Sequence, residues 1–261
     1  MTEFSVHSFP KSRIATIDVC SVGLQKHHIT ALVEIDVSES REKIRQHKAN
    51  KIAISVTAWL IKAISNTIAD FKQTAGYLQG KRSVLVFNDI NVSIVVEKDL
   101  NGEKVPIPLL IEKASERSIA SITRQINDAK DQTLTDRDIV LESKSKRLER
   151  FYYYLPGFTR RYFWRYLIKY PHFAFKKMGN VAITSIGMIG AANGWFIPIS
   201  IHPICFGIGK IVKKPLVVND KIEIREVLNM TVLLDHDVID GAHMARFISK
   251  LSENLEKGIG L

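Results

Sequence analysis

Cysteine is scarce: the 261 residues hold two, Cys20 and Cys205. Neither sits at metal-ligand spacing and both lie among apolar neighbours. This excludes a disulfide framework and points to buried, reduced thiols of a reducing compartment. An apolar leader is missing too. The opening "MTEFSVHSFPKSR" has no hydrophobic core segment, so no secretory signal is expected and the protein is read as cytoplasmic. No Pro/Gly/Ser linker, internal repeat or low-complexity tract divides the chain, so residues 1–261 are read as one domain, large enough to bury a sizeable core.

Charge is absent in two informative places. From Met178 to Gly209 there is no Lys, Arg, Asp or Glu, yet six glycines, two prolines and a histidine interrupt the run. A lipid-exposed helix would not tolerate that punctuation, so the segment is read as buried strands and turns. Between Arg150 and Lys177, acid alone is absent: seven Lys/Arg stand there, leaving only +3 of the net +10 for the rest. Twelve of the 22 aromatic residues lie between Phe151 and Phe175. The basic character therefore belongs to one segment.

Elsewhere the chain mixes strand and helix periods. "ITALVEIDV" alternates like a strand, and Ser38 opens a short charged helix. "AISVTAWLIKAISNTIADF" puts Trp59, Leu60, Ile64 and Ile68 on one buried helical face. "SVLVFNDINVSIVVEKDLNGEKVPIPLLI" reads as strands broken at Asn101-Gly102, and "SERSIASITRQINDAKD" as a surface helix. "EVLNMTVLLDHD" is a strand. From Gly241, the positions Met244, Phe247, Ile248, Leu251 and Leu255 keep a 3.6-residue period up to Gly258. Without regular βαβ alternation, this is an α+β, mixed-sheet architecture rather than a doubly wound nucleotide-binding fold.

Chemistry concentrates in "LLDHDVIDGAHMARF". His236 stands just past a strand end, and an imidazole is the side chain best matched to taking a proton at neutral pH. A thiol there would be mostly protonated without a base. Asp240 can accept backbone N–H bonds at the start of the following helix or pair with a distant arginine, and Gly241 permits a close turn. A bare H-x-x-x-D-G spacing is equally the mark of a polar turn and a helix cap.

The surroundings are more specific. "LLDHDVIDGAHMARFISKLSENLE" resembles the "DHRVIDGA…ARFL" ending of the acyltransferase (E2) subunits of 2-oxoacid dehydrogenase complexes. "GNVAITSIGMIG" is similar to that family's "GTFTISNLGMFG", "FIPISIHPICFGIGKI" to "FTPIINPPQAAILGVGRI", and "LIKAISNTIADF" to "FLIKAVAKALKEFP". The opening "KSRIATIDVCSV" resembles "RKIIAKRMVES". The likeness keeps its order over nearly the whole chain.

The resemblance implies a two-layer mixed α/β sandwich like chloramphenicol acetyltransferase, assembled as a homotrimer or a multiple of trimers. It implies an active-site channel between neighbouring subunits, with acyl-CoA as substrate and no metal. His236 becomes the general base that deprotonates a thiol of CoA or dihydrolipoamide. Asp240 becomes the residue that orients its loop, salt-bridged to Arg13. The hydroxyl that donates to the oxyanion falls on Thr184, with Ser185 beside it; threonine keeps the donor with a more restricted rotamer. The rival reading from another class is a non-catalytic E2-like oligomeric scaffold or a membrane-surface anchoring module.

Three departures from the family matter. The match begins at about residue 13, so no lipoyl or peripheral-subunit-binding domain is read in this chain, and a separate lipoyl-bearing protein is the expected acyl partner. Asp237 follows His236 where the family usually has arginine, a charge inversion beside the imidazole. The segment at about 136–177 is a basic aromatic insertion unlike the family's connection. In "TRRYFWRYLIKYPHF", Arg161, Arg165 and Lys169 form one helical stripe, and Phe163, Tyr166, Leu167 and Tyr170 another, with Pro171 ending the helix.

Three roles for residues 159–177 stand open: packing or a subunit contact, an anionic membrane surface that would make the protein peripheral, or an anionic ligand such as CoA phosphate. No nucleic-acid recognition motif accompanies the charge. His27 and His28 lack a third ligand in sequence and are not read as a metal site. His202 is read as a buried, bonded histidine, and Lys62 without a chemical role.

Overall fold

The structure is a computed structural model that describes residues 2–7, 9, 12–100, 103–131, 152–186 and 193–261. In chain order its elements are α1 (Ser12–Gly23), β1 (His28–Asp36), α2 (Ser38–Ala49), α3 (Val56–Asp70), β2 (Tyr77–Gln79), β3 (Ser83–Leu85), β4 (Val92–Leu100) and β5 (Glu103–Ile111). There follow α4 (Ile119–Asp131), α5 (Gly157–Lys169), α6 (Pro171–Met178), β6 (Val181–Ser185), β7 (Ile204–Val218), β8 (Lys221–Asp235) and α7 (Gly241–Glu256). The Asn101-Gly102 turn and residues 132–151, the first part of the expected insertion, lie outside the described residues.

Six strands form one sheet in the order β1-β8-β7-β6-β4-β5, and β2 pairs with β3 apart from it. β6 runs parallel to both β4 and β7, whereas the remaining pairs are antiparallel. Helices α3, α4 and α7 cover one face. There Trp59, Ile64 and Ile68 of α3 meet Phe247, Leu251 and Leu255 of α7 over Val92, Ile94, Phe206, Met230 and Val232. Periods of 3.6 on the helices and 2 on the strands bring these side chains to one interface. The mixed two-layer sandwich expected from the sequence is what forms.

From Val227 onward β8 is buried on both faces: Leu228, Met230, Val232 and Leu234 face the helices, yet Asn229, Thr231 and Leu233 are also sealed. The cover on that second side includes residues 194–198. The Thr231 hydroxyl donates to the Phe196 carbonyl at 2.8 Å, and a Cβ on Gly207 would lie 3.1 Å from that same oxygen. Double burial explains why this strand reads as a nearly continuous apolar run.

Gly179 sets the approach of β6 to β4. Its φ of +71° lies in the left-handed region, and a Cβ there would stand 2.3 Å from the Asn91 carbonyl oxygen. Only glycine fits, because the opposing atom is backbone. That carbonyl accepts the N–H groups of Asn180 and Val181 at 3.1 and 3.2 Å, while the Asn180 side chain accepts the Asn91 N–H at 2.9 Å.

One expectation, that both thiols are buried, needs correction. Cys205 is buried, and burial pushes its thiol up to about 12, but Cys20 is only half-buried. On α5 the stripe Phe163, Tyr166, Leu167 and Tyr170 faces mostly outward. Of those only Leu167 is buried, and it shares its face with Trp164. Trp164, whose N–H can bond, packs inward, while the other rings point outward. Pro171 does follow the end of α5, and it also opens α6 at its first turn, where a missing N–H costs nothing.

Candidate active site

The loop after β8 is built to hold residue 236 at the surface on a rigid base. Asp235 ends the strand, its N–H donating to the Pro203 carbonyl at 3.0 Å. Its own carbonyl accepts from the N–H groups of Val238 and Ile239 at 3.0 and 3.3 Å, closing a tight turn. His236 and Asp237 are thereby thrown outward and exposed, while Ile239 is 7% exposed and pins the loop from below. The His236 N–H donates to the His27 carbonyl at 2.9 Å, and Asp237 accepts from the His27 ring at 3.0 Å. The acid beside His236 is thus turned toward a neighbouring imidazole.

Asp240 is the N-cap of α7. Its Oδ1 accepts the His243 N–H at 2.7 Å from an extended backbone conformation. Such a bond satisfies one of the free donors of the first turn and typically contributes ~1 kcal/mol. The partnership with Arg13 expected from the resemblance does not form among the described residues. Arg13 is exposed on α1, its guanidinium 5.9 Å from the Phe9 ring centroid. Of the two alternatives for Asp240, backbone capping is the one present.

Beneath the loop lies a polar bed of which the sequence reading had only the buried, bonded His202. The Asp235 carboxylate, 3% exposed, forms an ion pair with Lys26, itself 11% exposed. His28 donates from Nε2 to the His202 carbonyl at 2.9 Å. His202 donates from Nε2 to the Met178 carbonyl at 3.0 Å, which leaves Nδ1 to accept the Ser200 hydroxyl at 3.3 Å. Both roles require the neutral ring, and burial lowers His202 to about 4 and moves His28 in the same direction. A lone Asp closing the apolar run "TVLLD" was the available signal for this bed. Its partners come from positions about 210 and 30 residues away.

The neutral His202 has a pH signature. An unfolded histidine binds a proton below about 6.5 whereas the folded one resists until about 4, so protons favour the unfolded chain across that window. Its contribution is complete above pH 6.5 and disappears as pH falls toward 4. Thermal midpoints measured across this range should decline more steeply for the wild type than for His202→Gln. Equal slopes would show that this ring is not the titrating group.

Thr184 and Ser185 end β6. Thr184 is half-buried and Ser185 exposed, and neither hydroxyl bonds to a described residue. Thr184 is in register with Gly207 of β7, and Gly207 with Thr231 of β8. His236 lies five residues beyond Thr231 along β8, roughly 16 Å along the strand and two spacings of about 4.8 Å across the sheet from Thr184. Within one chain His236 and the Thr184 hydroxyl do not meet. Among the described residues no group of His, Cys, Asp or Glu could hold a metal ion. Lys62 donates to the Ser115 carbonyl at 2.6 Å, a structural bond away from the loop.

Comparison with known proteins agrees with this architecture. The family model described as 2-oxoacid dehydrogenases acyltransferase (catalytic domain) matches residues 22–140 and 176–261, leaving the aromatic, basic stretch outside. The dihydrolipoyllysine-residue acetyltransferase component of the pyruvate dehydrogenase complex of Mycoplasma pneumoniae is 27% identical over 211 residues, covering 80% of this chain and 43% of that protein. The chain thus spans less than half the length of that curated relative. The crystallographically studied dihydrolipoamide acetyltransferase of Azotobacter vinelandii superposes with a TM-score of 0.69 at 16% identity, over 97% of this chain and 92% of that one. A chloramphenicol acetyltransferase structure gives 0.50 at 10% identity, over 97% and 98%. With more than half of its residues matched and the two-layer sandwich in place, the chain belongs to the family of 2-oxoacid dehydrogenase acyltransferase catalytic domains.

Proposed function

We propose that this protein moves an acyl group between CoA and a thiol of the dihydrolipoamide type, at a site shared by two protomers of a homotrimer. The observation that carries the reading is the separation of His236 from Thr184. Neither side chain bonds to a described residue, yet Thr184 stands level with Thr231, four residues before β8 ends, and His236 lies beyond that end. A head-to-tail ring of copies can set the His236 loop of one chain against the Thr184 end of β6 in its neighbour. The β7–β8 hairpin offers apolar surface for such a contact: Val217, Ile222 and Ile224 are more than 70% exposed around the Asn219-Asp220 turn. A related structure is the cubic core of the pyruvate dehydrogenase multienzyme complex. In the Azotobacter protein, a serine, a histidine and an asparagine four residues after the histidine were investigated for their role in catalysis. His236 and Asp240 keep that spacing.

In this mechanism His236 takes the proton from the attacking thiol, and the thiolate forms a bond to the thioester carbonyl carbon. The carbonyl π electrons move to oxygen, where the Thr184 hydroxyl of the neighbouring protomer donates a hydrogen bond. Collapse of the tetrahedral species breaks the original C–S bond, and the departing thiolate recovers the proton from the imidazolium. CoA and dihydrolipoamide exchange roles when the reaction runs backward. The lipoyl group is supplied from outside residues 1–261.

The test is acetyl transfer from acetyl-CoA to free dihydrolipoamide. Thr184→Val should lower turnover by roughly 100-fold or more, the usual cost of one oxyanion donor, and Ser185→Ala should change it little. The reverse pattern would move the oxyanion role to Ser185. Mixing His236→Ala with Thr184→Val subunits, unfolded and refolded together, should restore about a quarter of the wild-type rate, because one site in four then receives both intact residues. No restoration would end the shared-site reading.

A further inference from the structure

Helix α5 has two unlike faces. The inner one is anchored. Asp18 of α1, 1% exposed, accepts Arg160 Nε at 2.7 Å and the Tyr152 hydroxyl at 2.9 Å. The indole N–H of Trp164 donates to that same hydroxyl at 2.9 Å. Trp164 and Leu167 complete a small core with Val22, Tyr77 and Met178. The segment is therefore fixed to the body of the protein through Arg160, Trp164 and Leu167, and its remaining face is free of that duty.

The outer face alternates rings and cations. Phe158 and Tyr162 are 69% and 70% exposed, with Tyr166 in line at the i+4 position. Beside them at the same spacing run Arg161, Arg165 and Lys169, all exposed. No Asp or Glu occurs from residue 150 to 177, so nothing within the segment neutralises these charges.

We propose that this face docks on an anionic lipid surface. Charge selects the occupant first. A second copy would bring the same cationic stripe, so self-association through this face meets like-charge repulsion. Texture selects next. The core of a protein–protein interface is depleted of charge, whereas here each exposed ring has a guanidinium or ammonium beside it. Both kinds of side chain are satisfied together at the headgroup boundary of a bilayer, where rings enter the apolar layer and long cationic stems reach back to phosphate. No described helix is long and apolar enough to cross a membrane, so the contact is peripheral.

Docking also orients the candidate active site. α6 leads from this face to Met178, whose carbonyl holds His202, and the His202 carbonyl holds His28 opposite Asp235. The end of the sheet that carries His236 is thus the end nearest the docked helix.

Vesicle flotation of the full chain tests the inference, using phosphatidylcholine alone and phosphatidylcholine mixed with phosphatidylglycerol. The wild type should float with the mixed vesicles only, and high salt should release it. Arg161→Glu/Arg165→Glu should bind the mixed vesicles roughly 100-fold more weakly, with its melting temperature and oligomeric state unchanged. Phe158→Ala/Tyr162→Ala should also bind more weakly while keeping its salt dependence. Failure of the wild type to float, equal flotation of the charge-reversed variant, or equal binding to phosphatidylcholine alone would each overturn the proposal.

Discussion

Replacing His236 by alanine is expected to reduce acetyl transfer to dihydrolipoamide by roughly 10²–10⁴-fold, the span typical of a lost general base. The fold should not notice. The side chain is exposed, and the bond that residue 236 contributes to the loop comes from its backbone N–H to the His27 carbonyl, which alanine keeps. Melting temperature and oligomeric state should therefore match the wild type. A shift of activity toward higher pH in the variant would indicate that the thiol now ionises unaided, as expected when its base is gone. Turnover equal to the wild type would remove His236 from the chemistry and favour the scaffold reading of the family fold.

Replacing Lys26 by methionine should have the largest effect on stability. It leaves the Asp235 carboxylate buried without its cation, and breaking one side of a buried pair costs about 3–5 kcal/mol. For a chain of this length that corresponds to a fall in melting temperature on the order of 10 °C. Activity should fall as well, since Asp235 is the residue on which the His236 turn is built: its carbonyl closes the turn, and its Oδ1 accepts the Asp237 N–H at 3.2 Å. The double variant Lys26→Met/Asp235→Asn removes both charges and keeps an acceptor for Asp237, so it should regain much of the lost stability. Failure of the second change to rescue the first would show that Lys26 contributes through its packed stem rather than through its charge.

Much of the helix–sheet core was legible because each element advertises its own buried face. The run from Trp59 to Ile68 and that from Met244 to Leu255 both carry apolar residues at helical spacing, and both proved to lie on the sheet. The same reasoning left the packed face of α5 open. There, aromatic residues occur on every side of the helix, so hydrophobicity alone does not choose the packed one. The buried acceptor Asp18 and the Tyr152 hydroxyl chose it, by offering partners to Arg160 and to the indole N–H of Trp164.

His236, Asp240 and Thr184 could be named as candidates from motif and resemblance, but their arrangement was not legible. Asp240 carried two readings, and only coordinates show it capping α7 while Arg13 lies elsewhere, beside Phe9. His202 was read as buried and bonded, whereas Lys26 and His28 looked unremarkable in sequence, because nothing local distinguishes a solvated Lys or His from one that closes a buried network. Their roles depend on β1 and the segment before β7 meeting the end of β8.

By itself, then, the order of residues determined the secondary elements, the mixed sandwich and the histidine-bearing turn, since periodicity, capping and turn chemistry act over a few neighbours along the chain. Tertiary structure decided which face of α5 is buried, which cation answers Asp235, and that His236 and Thr184 stand apart in one protomer. Those are distances between residues far separated in sequence, and a chain acquires them only when strand pairing and burial bring its remote parts to one place.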